Sequence, residues 1–322
     1  MKIKTRWLQF NDMLTKSSSR EYTKFQRIRL FFDFMFNRIF RGIYLIDYIQ
    51  YKFYDRNKYS RDTFIEYQKL HKIIAMCNNP EKKEIFDSKI LFNETFNKHL
   101  NREWLNSASC TKEEFMSFTN KHDEIIVKPE VGSFGVGVRR VNCKDVNLEE
   151  LYKECKKDNS FLESVVEQHN SLKDFNDTSL NTLRIVTLIG KNQEVNIMSA
   201  VLRIGRKGKV ADNFHSEGLA CQIDIDTGIV KTIAVDKNFK KYVLHPDSGK
   251  LICGFSIPSW EKVVEKAKEL AKVVPDVRYV GWDIAVDKDG EVLCIEGNYS
   301  ADPDVTQTTD QVGKYFNYVE KI

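Results

Sequence analysis

The stretch 281–300, "GWDIAVDKDGEVLCIEGNYS", decides the fold. It reads as a β-hairpin around the turn "DKDG", because Gly and Asp clusters punctuate strands and side chains alternate across them. With Val286 opposite Glu291, Asp283 faces Cys294, and Trp282, Ile284, Val286, Leu293 and Ile295 form one apolar face. A one-residue slip would mix apolar and polar sets, so the pattern favours this register. Asp283, Glu296 and Asn298 then share the opposite face, Glu296 diagonal to Asp283 at about 7–8 Å. Two carboxylates and an amide oxygen so placed repel one another unless a proton or cation joins them. Hard oxygen donors in that number suit Mg²⁺, which takes few protein ligands and completes its shell with water and phosphate.

Upstream, "VKPEVGSFGVGVRRV" (127–141) puts Gly132, Ser133, Gly135 and Gly137 between two strands. Clustered glycines let backbone N–H groups approach a ligand closely, and such a nest suits phosphate oxygens. No GK[ST] and no helix follow, which excludes a P-loop and a dinucleotide fingerprint. What remains is a strand–loop–strand flap over phosphates, as in kinases, or a glycine-rich hairpin with no ligand. Lys128 ends the apolar strand just before the loop, where it is either a phosphate-neutralising cation or a solvated strand-end lysine.

The 322 residues are enough for two or three compact units. A net charge of +4, from 50 basic and 46 acidic residues, gives no argument for nucleic acid. Seven scattered cysteines form no CxxC pair, which fits reduced, buried thiols in a cytoplasmic protein rather than disulfides or structural zinc. The N-terminus lacks a signal-peptide core, and no window reaches the roughly 18 apolar residues of a membrane span.

The first 80 residues contain one glycine, Gly42. "FQRIRLFFDFMFNRIFRGIYLIDYIQYKFYDR" (25–56) interleaves aromatics with charges at spacings of three and four, a helical pattern with a wide apolar side. That side either packs on the rest of the chain or rests on a membrane surface as an amphipathic, arginine-rich helix. Downstream, strands come in groups separated by helices: "EIIVKP", "GVRRVN", "FLESVVEQH", "TLRIVTLIG", "EVNIMSAVLRIG" and "LACQIDID" as strands, with "DSKILFNETFNKHL", "NLEELYKECKKD" and "IPSWEKVVEKAKELAKVV" as helices. Asp87 or Ser88 is expected to cap the first of these helices, and the last is expected to start, capped, near Ser259. The order argues an α+β fold.

Glycine flap, preceding lysine and late Asp…Glu-x-Asn hairpin, in this order over residues 86–305, resemble the ATP-grasp superfamily. The resemblance implies two α+β subdomains clasping ATP, with Mg²⁺ held on the triphosphate by Asp283, Glu296 and Asn298. It implies Lys128 and Lys89 as phosphate-contacting lysines, Lys98 being a weaker substitute for Lys89. "SVVEQH" is similar to the family's hinge, which makes Glu167, Gln168 and His169 the adenine pocket. Arg184, Arg203 and Asn213 match positions of glutamate-ligase-like members, and "NTLR", "DNFHSEG" and "HPDSGKLICGFSIPSW" look most like the sugar-transfer-associated branch, thought to serve cell-surface polysaccharide synthesis, capsule included. Three features depart from the pattern. The double glycine is Glu217–Gly218, the ending is "NYSADPD", and the arginine often found two residues before the hairpin aspartate is Gly281, with Arg278 out of register.

The expected organisation is a helical region at 1–85, a flap-bearing subdomain at 86–165 and a metal-bearing subdomain at 166–322. The expected activity is ATP-dependent carboxylate–amine ligation through an acyl phosphate, with Arg184, Arg203 and His215 as catalytic candidates. A phosphotransferase acting on a sugar or alcohol hydroxyl and a non-catalytic ATP-binding module are the alternatives. Small or sugar-linked carboxylates and amines are the expected substrates, at the inner face of the membrane if the N-terminal helices rest there.

Overall fold

The computed structural model describes residues 3–18, 20–130, 137–209, 212 and 218–322. Of the expected site residues, Gly132, Ser133, Gly135, Asn213 and His215 lie outside them. Among the described residues, eleven strands form two antiparallel sheets flanked by helices, so the fold is α+β.

The smaller sheet contains β1 (Trp104–Asn106), β2 (Glu124–Pro129), β3 (Arg139–Asn142) and β4 (Ser160–Ser164), in the order β1-β4-β2-β3. Alternation gives it two different faces. Ile125, Val127 and Leu162 are buried with Phe115 and Leu151 from the covering helices Lys112–Lys121 and Leu148–Lys157. Ile126, Lys128, Phe161 and Glu163 point the other way, into a cleft. The strand expected over "FLESVVEQH" stops at Ser164, and only Gln168 rejoins a sheet, through a single bridge to Asp287.

The larger sheet contains β5 (Thr182–Ile189), β6 (Val195–Ile204), β7 (Leu219–Gln222), β8 (Ala234–Val235), β9 (Lys241–Tyr242), β10 (Tyr279–Val286) and β11 (Val292–Asn298), in the order β11-β10-β5-β6-β7-β8-β9. Leu183, Ile185, Ala200, Leu202, Trp282 and Ile284 face the main core and the helix Trp260–Val273. Ser259 precedes that helix but does not cap it through its side chain. With φ +53°, its hydroxyl instead donates to the carbonyl of Gly290 in the hairpin turn, at 2.8 Å. Ser88 does cap, accepting from the amide of Leu91.

At the N-terminus, α1 (Ile3–Ser17), α2 (Lys24–Arg41) and α3 (Leu45–Gln50) pack an aromatic core of Phe10, Phe31, Phe34, Tyr48, Phe53 and Phe64. A Thr23/Gln26 capping box starts α2, and Gly42 ends it at φ +72°, where L side chains are strained. No helix among the described residues is long and apolar enough to cross a membrane.

The hairpin 281–300 forms, but in a different register. Val286 pairs with Val292, Ile284 with Cys294, and Asp283 with Glu296, which leaves Ile295 as the extra residue of a β-bulge. Upstream of the bulge the core face of β11 is therefore Val292 and Cys294, not Leu293 and Ile295, and Ile295 lines the cleft. Beyond it, Glu296 stands directly across from Asp283 rather than diagonal to it. A distant residue braces the bulge. The buried Arg102 guanidinium donates to the carbonyls of Cys294 and Ile295, taking over groups that the bulge removes from the ladder.

Candidate active site

A cleft of about 1650 Å³ lies between the polar faces of the two sheets, with α3 and the segment after β11 contributing to its wall. On the small-sheet side, alternation from buried Val127 aims Lys128 into it. Lys128 Nζ sits 2.5 Å from Glu163 Oε2, and Arg102 Nη2 is 2.7 Å from Glu163 Oε1. Burial would raise the Glu163 carboxyl, but the two cations outweigh it and hold the group at about 2. Glu163 is thus an anion in a dry setting, and it keeps Lys128 positioned. Lys89 Nζ donates to the carbonyls of Pro129 (3.1 Å) and Glu130 (3.2 Å) at the root of the flap. Desolvation lowers the Lys89 pKa; Glu296 opposes that shift and Lys128 adds to it. Gly137, the last glycine of the expected flap, has φ +77°, and a Cβ there would stand 3.0 Å from Pro129 Cγ. Lys98 is exposed and does not line the cleft.

Across the cleft, Asp283 receives a bidentate pair from Arg184, Nε to Oδ1 at 2.5 Å and Nη2 to Oδ2 at 3.0 Å. Arg203 Nη1 adds a third bond to Oδ2 at 2.8 Å. Burial disfavours the charged carboxylate, yet the two guanidinium groups overcome that and hold Asp283 well below the usual range. Arg203 also lies 3.5 Å from Asp212, while its Nε has no hydrogen-bond partner among the described residues. Glu296 behaves oppositely. Desolvation in the cleft and then the adjacent Asp283 charge push its carboxyl up, so it retains a proton into less acid solution. Asn298 follows two residues on, its Oδ1 accepting from the Ser300 amide at 2.9 Å.

This donor set fits a hard cation in one respect. Desolvation and the adjacent Asp283 charge both disfavour the ionised form of Glu296, and a divalent ion held between the two carboxylates would favour it. Among the described residues no three His, Cys, Asp or Glu side chains cluster closely enough to hold a metal alone. Asn298 and ligand oxygens would have to complete the shell.

The glycine between these donors is sterically required. A Cβ on Gly297 would lie 2.7 Å from Phe92 and 2.9 Å from Trp282. Gly281 is similarly constrained: a Cβ would stand 2.4 Å from Ala301 Cβ and 3.2 Å from Arg184 Cδ. Arg184 thus occupies the space over Gly281, and the neighbouring strand supplies a guanidinium beside the aspartate. Arg278 lies elsewhere, its Nη2 3.5 Å from Cys77 Sγ.

At the hinge, Glu167 and Gln168 line the cleft and His169 does not. Glu167 pairs with Lys288 at 3.2 Å. The Gln168 amide is spent on the chain itself, donating to Asn176 and Ser179 carbonyls and accepting from Asn181. His169 Nδ1 accepts from the Ser171 amide at the start of a short helix.

Three cleft residues had no place in the sequence reading. Asp47 on α3 and Asp302 and Asp304 beyond β11 form an acidic wall. Loss of solvent inside the cleft, and then the neighbouring Asp304 charge, lifts Asp302 to about 8; desolvation lifts Asp304 to about 6 against a hydrogen bond from the Val305 amide, with Asp47 adding to the rise; burial lifts Asp47 to about 7 against a hydrogen bond from Tyr67. The signal available was "ADPD" (301–304), two acids around a proline, but nothing local joins it to Asp47.

Residues 68–315 match the family model described as sugar-transfer associated ATP-grasp. No curated protein matches the chain. Among solved structures it is similar to an ADP complex of N5-carboxyaminoimidazole ribonucleotide synthetase (TM-score 0.50, 11% identity, 81% of this chain and 58% of that one). It is also similar to the N5-carboxyaminoimidazole ribonucleotide synthetase from Thermotoga maritima (TM-score 0.46, 14% identity, 81% and 57%). A third is the ATP-grasp ligase PsnB complexed with a minimal precursor (TM-score 0.45, 14% identity, 76% and 64%). The chain spans less than two thirds of the length of each of these structures, and at 11% identity the first likeness speaks to the fold alone.

Proposed function

The chain belongs to the sugar-transfer associated ATP-grasp family, and from that premise we propose that it is an ATP-dependent carboxylate–amine ligase working through an acyl phosphate in cell-surface polysaccharide synthesis. The observation that carries the reading is the convergence of Lys89, Lys128, Arg184, Arg203, Asp283 and Glu296 on one cleft between two sheets. On this reading 86–165 and 166–322 are the flap-bearing and metal-bearing subdomains, and 1–85 is a helical region that adds one wall.

ATP lies in the cleft with its adenine along the hinge, where the backbone of 165–167 is the recognising element because the Gln168 side chain is already engaged. Lys128, held by Glu163, and Lys89 meet the terminal phosphates. Asp283, Glu296 and Asn298 hold Mg²⁺, which when bound supplies charge neutralisation on the triphosphate. Arg184 and Arg203 keep Asp283 ionised and present guanidinium edges to the carboxylate substrate. A carboxylate oxygen attacks the γ-phosphorus, the bond to the β-γ bridging oxygen breaks, and ADP leaves. The amine then attacks the acyl carbon, the carbon–oxygen bond to phosphate breaks, and the amine loses a proton as the amide forms. Roles for Asn213, for His215 and for the flap residues Gly132, Ser133 and Gly135 rest on sequence alone.

The acidic wall of Asp47, Asp302 and Asp304 favours an amine as second substrate. A carboxyl lifted toward neutrality binds an ammonium by giving up its own proton, and it accepts one again as the amine reacts. The test is ADP release from Mg²⁺-ATP with amino acids paired against uronic-acid and amino-sugar acceptors. ADP and phosphate formed only when both substrates are present, with ¹⁸O from a labelled carboxylate appearing in the phosphate, is the expected result. A phosphorylated acceptor would identify a phosphotransferase instead, and nucleotide binding without turnover on any pair would favour a non-catalytic module.

A further inference from the structure

Helix α2 turns an apolar face to solvent. It buries Phe31 and Phe34 against the N-terminal core. On its opposite side Phe25, Ile28, Phe32, Phe36, Ile39 and Phe40 recur at helical spacing along its length. Phe25, Phe32, Phe36 and Phe40 are 78%, 68%, 57% and 71% exposed, and Ile39 is 66% exposed. An ordinary surface helix carries polar residues there. At roughly 150–250 Å² per aromatic side chain, the stripe reaches or exceeds the roughly 300–600 Å² of the largest apolar patch on a typical monomer.

Its charge is as distinctive. The first 41 residues hold ten Lys or Arg and three Asp or Glu, a formal +7, so with +4 overall the other 281 carry −3. Several of these cations are committed within the fold. Arg27 bonds Asn11 and Thr15, and Arg38 stacks on Tyr44 at 4.1 Å. Lys24 and Arg29, beside Phe25 and Ile28, are exposed and make no hydrogen bond or ion pair among the described residues.

We propose that this face of α2 docks on an anionic bilayer. The phenylalanines enter the boundary between headgroups and acyl chains, and Lys24 and Arg29 meet lipid phosphates. The helix lies in the membrane plane, since no helix among the described residues can span one. A second copy of the chain is the poorer occupant, because apposing two such faces brings +7 against +7. Just past Gly42 the chain reaches Tyr44 and Ile46 on the cleft wall, so docking holds the cleft close to the membrane surface. The inference does not depend on the reaction proposed above.

The test is flotation of the full chain with vesicles of phosphatidylcholine alone or with about a third phosphatidylglycerol. Binding to the anionic vesicles, weakened by salt and at least about tenfold weaker on neutral ones, is expected. Phe32→Ser/Phe36→Ser/Phe40→Ser should weaken binding at least about tenfold, and Lys24→Gln/Arg29→Gln should remove most of the preference for anionic lipid. All five positions are at the surface, and circular dichroism with a thermal melt checks that each variant folds as the parent does. Failure of the parent chain to float with anionic vesicles overturns the proposal, as does a triple variant that floats equally well. A parent dimer that the triple variant dissolves would make a second copy the occupant and overturn it too.

Discussion

Asp283 and Glu296 face each other across two strands, yet their environments drive them apart. Asp283 is an anion held by two guanidinium groups, whereas desolvation and then the neighbouring Asp283 charge raise the Glu296 carboxyl above its ordinary range. A cation bound here favours the ionised form of Glu296 over the protonated one. Mg²⁺-dependent nucleotide affinity is therefore expected to rise with pH until Glu296 is ionised, and calorimetric titrations from about pH 5 to about pH 8 would read it. Glu296→Gln should flatten that dependence and weaken binding about tenfold or more; a slope that survives in the variant would assign the proton elsewhere. Asp283→Asn is the less clean probe, since it also strips the partner from two buried arginines. Asp47 gives a stability test. Its folded value of about 7 lies above the ordinary 3.8, so between them the folded chain holds a proton that the unfolded chain has lost. Stability from this group is complete in acid and is lost as pH rises from about 4 to about 7, at no more than about 1.4 kcal/mol per unit. Asp47→Asn is then more stable than the parent near pH 8 by up to a few kcal/mol and close to equal near pH 4, by denaturant unfolding. Equal stability of the two proteins at pH 8 would mean that folding does not raise the Asp47 pKa.

The hairpin marks how far local pattern reaches. Alternation of Trp282, Ile284 and Val286 was enough to find β10, and it placed Asp283, Glu296 and Asn298 on one face. The register was not legible: the bulge at Ile295 is met by Arg102, some 190 positions earlier in the chain, which no local pattern announces. Glu163 was hidden for the same reason: a strand acid beside Phe161 and Leu162 shows no sign of the two cations that reach it. Asp47 and "ADPD" likewise meet only once α3 folds against the segment after β11. Arg102 links the small sheet, through Glu163, to the large sheet, through Cys294 and Ile295. Arg102→Met would leave Glu163 with Lys128 alone and two carbonyls unanswered, at a cost of about 3–5 kcal/mol, readable as a shifted denaturation midpoint; an unchanged midpoint would mean that the link carries no energy. Gly281→Ala would press on Ala301 and on the Arg184 side chain, costing about 1–3 kcal/mol. Its second readout is weakened nucleotide binding, which a simple packing defect away from the cleft would not produce.

At the scale of the whole molecule, two antiparallel sheets each turn one face to their own core and the other to a shared cleft. The α+β class and the order of lysine and acid hairpin were legible because each is a local pattern. The wall built by α3 was not, because the N-terminal helices meet the cleft only in three dimensions. The central claim is that this cleft holds a nucleotide through a cation on one sheet and lysines on the other. The measurement that tests it most directly is calorimetric binding of a non-hydrolysable ATP analogue by the full chain, with Mg²⁺ and with EDTA, for the parent, Lys128→Ala and Glu296→Gln. We expect saturable one-to-one binding that requires Mg²⁺ and weakens about tenfold or more in each variant. Absence of nucleotide binding in the presence of Mg²⁺, or binding indifferent to EDTA and to both substitutions, would contradict it.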